Sequence, residues 1–567
     1  MQQTIKQVKP TIGPRSISRR QFLQWTAVGL STAAVLAACD PPGVEQPATG
    51  SAAGTTATIT DTTTSGAAAQ TGGKTTQIWM GHQEVASLSP DDTGPSIQWV
   101  MIINIHSQLV YYDYDFNLVQ DLAESQEIAP DGLKYTFHLR KGVKFHDGAD
   151  FTAKDVKYTF DYYRDPKNAT VRVSDFTGVD SVETPDDLTV VVNMKTVNAA
   201  SLVTWGGFQI VQSKYHAEVG EAKYKGAPIG TGPYKLKEWK AAEFTELEAF
   251  DGYYGGRPKI DVLRMEIVPE DAVRKQALIT GDADASVWPL LVQDSLTLAK
   301  DPKFKVLSSP TSGFKFFPLN DKLPYFQDKR CRQALMYALD RQRIIDDLWN
   351  GTAEVANSTL PSSSTLYYKT DLKKYEFSPD KAKQLLDEAG WKAGADGIRE
   401  KDGQKFSFTC TVKAGDQARK PIAELAQQLF KDVGVDMQLT EAPIVAILDG
   451  LRKGTIDCSI FNWGYCVSAL EPDASAVLSA KGGDNFSHFE NAEMDKLIAD
   501  GLQKVDPKER KPIYDRIQEI FVDEVPVLYL QFDQWMEPFS RRLEGVPDKV
   551  VNPIEWISSF QWSKQNG

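Results

Sequence analysis

Cysteine and histidine are scarce in this chain of 567 residues, with five of the first and six of the second. The cysteines stand far apart, without a C-x-x-C pair, and no short His/Cys cluster has the spacing of a structural zinc site. H-E-x-x-H, G-x-S-x-G, G-x-G-x-x-G and the P-loop motif are all missing. Their absence removes the usual marks of a metalloprotease, a nucleophile-elbow hydrolase, a dinucleotide-binding fold and a P-loop NTPase. No catalytic constellation is visible, and no metal or other cofactor is implied. Beyond the N-terminal region no stretch reaches about 18 consecutive apolar residues, so nothing there reads as a membrane span. Positive charge is short as well. The formal net charge is −13, and residues 1–39 hold five basic and no acidic side chains, so losing them takes the balance to −18. That argues against nucleic acid as a partner and against a polybasic grip on anionic lipid.

What is present begins at the N-terminus. Ser18-Arg19-Arg20-Gln21-Phe22-Leu23 places paired arginines before a weakly apolar run from Trp25 to Ala38, which stops at Leu36-Ala37-Ala38-Cys39. The Arg19-Arg20 pair resembles a twin-arginine (Tat) export signal. Leu-Ala-Ala-Cys is similar to a bacterial lipobox, whose cysteine becomes the acylated N-terminus. A spanning anchor helix is the weaker reading, because about 14 mostly small residues are too few to cross ~30 Å of hydrocarbon. Residues 1–38 are thus expected to be a lipoprotein signal peptide. The mature chain would start at Cys39, on the outer face of the cytoplasmic membrane and held there by lipid alone. Residues 39–75 follow as a tether. From Gly43 to Thr75 the only large apolar residues are Val44 and Ile59, so the segment cannot offset its ordering entropy by burial. As a random coil it reaches about 30 Å.

About 490 residues remain, too many for one core, so two or three domains are expected. A Tat substrate folds in a reducing compartment, so Cys331, Cys410, Cys458 and Cys466 read as four buried thiols in preference to two bridges. The body reads as mixed α/β. Tyr135, Phe137 and Leu139 alternate with Thr136, His138 and Arg140, and Lys141-Gly142 turns the chain into Val143-Lys144-Phe145, which predicts a hairpin with one apolar face. Thr152 and Asp155 make a capping-box pattern ahead of a helix to about Tyr163. Ser378 and Pro379 open a second helix with Ala382, Leu385, Leu386 and Ala389 on one face and Gly390 as its stop. A third runs from about Pro421 to Val433, with Leu425, Leu429 and Val433 inward and Gly434 ending it. A fourth is predicted from Arg332 to Ile345, with Leu335, Leu339 and Ile345 inward and its charges solvated.

Several segments carry a resemblance that covers nearly the whole mature chain. They are Asp121-Leu122-Ala123-Glu124-Ser125, the run from Asp131 to Gly148, Phe151-Thr152-Ala153-Lys154-Asp155-Val156 and Gly230-Thr231-Gly232-Pro233-Tyr234. Lys329 to Leu335, Ala338-Leu339-Asp340-Arg341, and Gly483-Asp484-Asn485 with Asp495 follow in the same order. Together they resemble the family 5 solute-binding proteins of ABC importers, which include oligopeptide, dipeptide, nickel and oligosaccharide binders. Most of these residues also have a scaffold role, since glycines make turns and Thr152 caps a helix. The resemblance implies an α/β, two-lobed periplasmic-binding-protein-like fold with mixed sheets, an extra subdomain in lobe I and a two-strand hinge. Lobe I is expected at 76–317, including the subdomain at about 118–225, lobe II at 318–528, and the return to lobe I at 529–567. The crossings would lie near Phe317-Pro318-Leu319-Asn320 and Leu528-Tyr529-Leu530-Gln531-Phe532. Closure around solute would produce a shape that a membrane permease reads, without chemistry.

In peptide-binding relatives a lobe II segment places an aspartate three residues after a tryptophan, and that carboxylate pairs with the peptide's α-ammonium. Here the segment reads Asn462-Trp463-Gly464-Tyr465-Cys466-Val467-Ser468-Ala469-Leu470-Glu471-Pro472. The acid is absent: the position falls on Cys466 counting forward from Trp463, or on Ser468 counting back from Glu471-Pro472. A neutral side chain there does not offset the desolvation of a buried ammonium unless Glu471 or Asp473 substitutes. The resemblance implies ligand contacts at Asn462, Trp463, Gly464, Tyr465 and Cys466, with Trp463 readable also as a core residue beside the cleft. Asn485 and His488 either line the same cleft or form a capped turn. Ala86-Ser87-Leu88-Ser89-Pro90 and Thr93-Gly94-Pro95-Ser96 match the family's first cleft loop weakly, which adds Gly94 and Ser96. The protein is thus expected to be a monomeric, non-enzymatic receptor that passes a peptide, oligosaccharide or similar small solute to an ABC permease. The alternatives are a receptor subunit for chemosensing or signalling, and a secreted hydrolase.

Overall fold

A computed structural model describes residues 75–91, 96–112, 118–176, 178–287, 290–416, 418–463, 472–546, 548 and 561–562. The expected signal and tether, with Arg19, Arg20 and Cys39, lie outside them except for Thr75, which is not tether but is fastened to the body, its N–H donating to the Asp261 carboxylate at 2.8 Å. Among the described residues no helix is long and apolar enough to cross a membrane.

The fold is mixed α/β, and one nine-stranded sheet runs through it. Its order is Phe461–Trp463, Phe304–Pro318, Val527–Ser540, Ala285–Ser286, Thr76–Gly81, Val262–Ile267, Phe244–Ala249 and Tyr234–Lys240, with Glu354–Val355 added beside Val527–Ser540. Thr76–Gly81 is parallel to both of its neighbours, while the two longest strands, Phe304–Pro318 and Val527–Ser540, are antiparallel to each other. Those two strands link separate apolar cores. One core is built from residues between Phe314 and Phe532. A second gathers Trp79, Leu263, Met265, Leu307, Phe539 and their neighbours. The chain passes from one core to the other between Leu307 and Phe314, and returns between Phe532 and Phe539. The strand register breaks at the same place, between Pro310 and Phe314, where the first strand carries more residues than the second. Pro310 has no N–H to give the ladder, which is a local cause for the break.

A third core, drawn from residues 109–224, lies under a four-stranded antiparallel sheet of Ala123–Ile128, Lys134–Leu139, Thr189–Met194 and Val179–Asp186. The predicted alternation holds: Tyr135, Phe137 and Leu139 are buried, and Tyr135 and Phe137 meet Trp205 edge-on at 5.1 and 6.0 Å. The predicted hairpin partner does not. Gly142 makes the turn with φ of 78°, but Lys134–Leu139 pairs with Ala123–Ile128 and Thr189–Met194. Val143 and Phe145 are buried by a tight reversal of their own, in which Phe145 N–H donates to Ala149 O and Phe151 N–H to Val143 O. Two apolar residues in alternation mark an inward face without naming the partner strand. The helix Ala153–Arg164 follows with its capping box, as Thr152 N–H donates to the Asp155 carboxylate at 2.9 Å. The other oxygen of Asp155 takes Ser213 N–H and Oγ–H at 3.0 and 2.7 Å, so one carboxylate caps this helix and ties it to the start of the helix Ser213–Val219.

The core between Phe314 and Phe532 surrounds the parallel strands Asp436–Ala442, Ser407–Lys413 and Cys458–Ser459. Helices Pro379–Glu388 and Lys420–Lys431 close as the sequence predicts, with Gly390 and Gly434 at positive φ. The single helix expected from Arg332 to Ile345 is two, Lys329–Ala338 and Arg341–Trp349. Leu339 is extended, and the Asp340 carboxylate caps the second helix by accepting Arg343 N–H at 3.0 Å. Nor are all its charges solvated: Arg332 and Arg341 are buried and donate to backbone carbonyls. Cys331, Cys410 and Cys458 are free and buried, as expected, and Cys466 lies outside the described residues. Gly230 has a packing reason as well. A Cβ there would stand 2.0 Å from Ile105 O.

Candidate functional site

Candidate site residues gather where the crossing strands meet Phe461–Trp463. Directly opposed residues of antiparallel strands leave the sheet on one face. Lys315 is opposed to Asn462 on one side and to Gln531 on the other, so these three side chains form a row across three strands. The opposite face is apolar: Phe314 meets Phe532 at 5.8 Å and Phe521 at 6.0 Å. The row itself is polar, and two of its members are buried while Asn462 is partly buried. Lys315 is 1% exposed and Gln531 0%. The Lys315 ammonium pairs with Asp533 and lies 4.9 Å from the centre of the Trp349 ring. Gln531 Nε2–H donates to the other oxygen of Asp533 at 2.8 Å, which fixes the orientation of its amide. Two oxygens are left over. Gln531 Oε1 and Asn462 Oδ1 are buried and accept no hydrogen bond.

The next segments of chain hold this row in place. Asn320, just past the first crossing strand, donates through Nδ2 to Gly454 O and Ile456 O at 3.0 and 3.2 Å, and through its N–H to Asp457 O. Asp321 N–H donates to Ser487 O at 2.9 Å. Burial pushes the Asp321 carboxyl up to about 7; the Arg332 guanidinium opposes this and Glu524 adds to it. The loop carrying Ser487 packs on the row's strand through Phe461 and Phe486, whose rings are 5.4 Å apart.

That loop contains two of the sequence-predicted residues. Asn485 donates to Ser479 O and Phe489 O at 3.1 and 2.7 Å and accepts Phe489 N–H at 3.1 Å, so both ends of its amide serve its own turn. His488 has φ of 55°, and its Nε2 lies 3.0 Å from Leu451 O. A carbonyl only accepts, so Nε2 carries the proton. Partial burial and then the nearby Lys322 charge hold this imidazole below its ordinary pKa. Asn462 stands in the row, and the backbone of Trp463 pairs with Phe314. Gly464, Tyr465, Cys466 and Gly94 lie outside the described residues. Ser96 begins the helix Ser96–Ile105. From that helix Gln98 Oε1 accepts Ala86 and Ser87 N–H at 3.0 and 3.1 Å, which pins the loop after Thr76–Gly81.

Sequence reading did not single out Lys315, Gln531 or Asp533. The signal was present: in Phe314-Lys315-Phe316-Phe317 and Gln531-Phe532-Asp533 polar residues interrupt apolar strand runs, and period two assigns them to one face.

Comparison with known proteins agrees with this architecture. Residues 117–485 match the model of bacterial extracellular solute-binding proteins, family 5, middle region. The chain is 31% identical over 487 residues to the oligopeptide-binding protein AppA of Bacillus subtilis, covering 83% of this chain and 88% of that one. It is 28% identical to the glutathione-binding protein GsiB of Pectobacterium atrosepticum, covering 82% and 91%. The structure of NikZ from Campylobacter jejuni in complex with Ni(L-His) superposes with a TM-score of 0.73 at 26% identity, over 86% of this chain and 99% of that one. The α/β architecture with two crossing strands between cores, the ordered sequence motifs and these matches lead to one assignment: the chain belongs to the family 5 bacterial extracellular solute-binding proteins of ABC transporters.

Proposed function

We propose that the protein is a lipid-anchored extracytoplasmic receptor that captures a small solute in a cleft between two lobes and delivers it to an ABC permease by hinge closure. Lobe I at 76–317, with its subdomain at about 118–225, and lobe II at 318–528 are the moving bodies, and 529–567 returns to lobe I. The observation that carries this reading is the double crossing. The two apolar cores are joined by two paired strands whose register breaks midway, between Pro310 and Phe314, so bending is concentrated where the ladder is already interrupted. Family membership supports the general role. Relatives named for binding an oligopeptide and glutathione support a peptide-sized solute, and the Ni(L-His) complex keeps a small metal chelate among the candidates. Anchoring through Cys39 follows from the Leu36-Ala37-Ala38-Cys39 run.

The test is solution scattering of the protein without its tether, before and after saturation with a solute found by thermal-shift screening of peptides, oligosaccharides and metal chelates. At 100 times its dissociation constant a solute adds about 2.7 kcal/mol of stability, enough to detect. Compaction on saturation is expected. Identical profiles with and without a saturating solute would remove the closing cleft. Cys39→Ala should move the full chain from membrane to soluble fraction or leave it uncleaved, and unchanged partitioning would remove the lipid anchor.

A further inference from the structure

We propose that Lys315, Asn462 and Gln531, with Asp533, form the floor of the solute site, and that this floor selects an electrically neutral solute rich in hydroxyl or amide N–H donors. The inference rests on the cleft reading above and adds the chemical class of the solute. An amide oxygen buried without a donor is costly to the free protein, and such groups are rare unless something outside the fold completes them. Here two stand in one row: Gln531 Oε1 and Asn462 Oδ1 flank Lys315 on neighbouring strands. The strand bearing Asn462 leads directly into the Trp463-Gly464 segment. Asn462 and Gln531 lie on either side of the Lys315 strand, two strand spacings or about 9.6 Å apart, so the two oxygens suit donors on successive units of an oligosaccharide or along one extended peptide.

Charge narrows the class. Lys315 and Asp533 neutralise each other, and both oxygens of Asp533 are in use, one for Lys315 and one for Gln531. A free α-ammonium would have to displace Lys315 from its carboxylate, and a solute carboxylate would face two carbonyl oxygens. A neutral donor meets neither obstacle. The Trp349 ring, packed against the Lys315 ammonium and 9% exposed, adds an aromatic edge beside the row.

The experiment titrates the mature protein by calorimetry with maltotriose and cellotriose, with N-acetylated, C-amidated trialanine, and with free trialanine. It compares the wild type with Asn462→Leu and Gln531→Met. Binding of a trisaccharide or of the capped peptide, with free trialanine at least tenfold weaker, is expected, and the neutral probe that binds identifies hydroxyls or amides as the donors. Each variant should weaken that probe at least tenfold. Asn462→Leu should at the same time raise the unfolding midpoint of the solute-free protein, because it removes an unpaired buried oxygen. Three results overturn the inference while leaving solute binding intact: preference for the free peptide, unchanged affinity in both variants, or a lowered midpoint for Asn462→Leu, as expected if an internal water completes that oxygen. No binding by any probe, together with no compaction by any solute in the wider screen, overturns both this inference and the proposed function.

Discussion

Arg341, packed against the strand Val527–Ser540, and Gln531, a residue of that strand, are both buried, at 5% and 0% exposure, yet their polar atoms are treated oppositely. Arg341 gives its guanidinium to backbone carbonyls: Ala356 O, Tyr375 O at 2.8 Å and, more distantly, Tyr529 O at 3.4 Å. Arg332 does the same with Glu524 O, Val525 O and Phe326 O. Two residues along the strand from Tyr529, Gln531 has one end of its amide occupied and the other without a donor. A cation that ends on carbonyls fastens chain segments to one another and spends its donors on the scaffold. An amide oxygen that ends on nothing adds no stability and retains capacity for something else. The contrast separates scaffold from site more sharply than burial does, since both side chains are buried.

The largest expected effect comes from breaking the saturated side. Arg341→Met keeps most of the volume and leaves the Ala356 and Tyr375 carbonyls buried without donors. At about 1–3 kcal/mol for each orphaned group, the variant should lose ~3 kcal/mol or more in chemical denaturation. A loss under about 1 kcal/mol would mean that water satisfies these carbonyls, and the distinction between the two regions would fail.

Asp321 tests the middle ground, because it is largely buried, has one buried oxygen without a partner, and is 3.8 Å from Arg332. Its carboxyl, raised to about 7 chiefly by burial, holds a proton more tightly in the folded than in the unfolded chain. Its contribution is therefore most favourable below the ordinary carboxylate range and is lost as pH rises from about 4 to about 7. Asp321→Asn should be more stable than the wild type by roughly 2 kcal/mol at pH 8 and no more stable at pH 4, read from denaturation at the two pH values. An advantage independent of pH would assign the effect to packing.

Asn485 and Asn462 make the closest pair, being the same residue type in contacting segments. Asn485→Ala removes three local hydrogen bonds and should cost about 1–2 kcal/mol, with faster amide exchange in its loop. Its effect on solute affinity should be smaller than that of Asn462→Leu. The reverse order would place Asn485 among the solute contacts and Asn462 in the scaffold.

How much of this was legible in the sequence depended on whether the signal was local. The capping box at Thr152 and Asp155, the proline start and glycine stop of Pro379–Glu388, and the inward face of Tyr135, Phe137 and Leu139 all depend on neighbours a few residues away, and each is present. The failures required knowledge of distant partners. Val143 and Phe145 are inward but do not pair with the expected strand, and Asp340 splits a continuous apolar face by capping a new helix. Asn462 was reached through a family motif. Lys315, Gln531 and Asp533 could not be joined to it, because the row exists only once strands more than a hundred residues apart in sequence are set in register.

The smallest expected effect lies where water is available. Arg516 forms a forked contact with Glu493 at 2.8 and 3.2 Å and a further one with Glu519 at 3.1 Å, and its geometry is as complete as that of Arg341. Its side chain is 47% exposed and that of Glu493 is 53% exposed. Solvent screens such a pair, and water takes over any hydrogen bond that is removed. Arg516→Gln should therefore leave the unfolding midpoint at physiological salt within experimental error of the wild type, although it deletes as many hydrogen bonds as Arg341→Met. If saturation alone set the scale the two variants would be alike, and if exclusion of water sets it they will be far apart. A loss for Arg516→Gln comparable with that for Arg341→Met would show that counting partners is enough, and the orphaned oxygens of Asn462 and Gln531 would then lose their special standing.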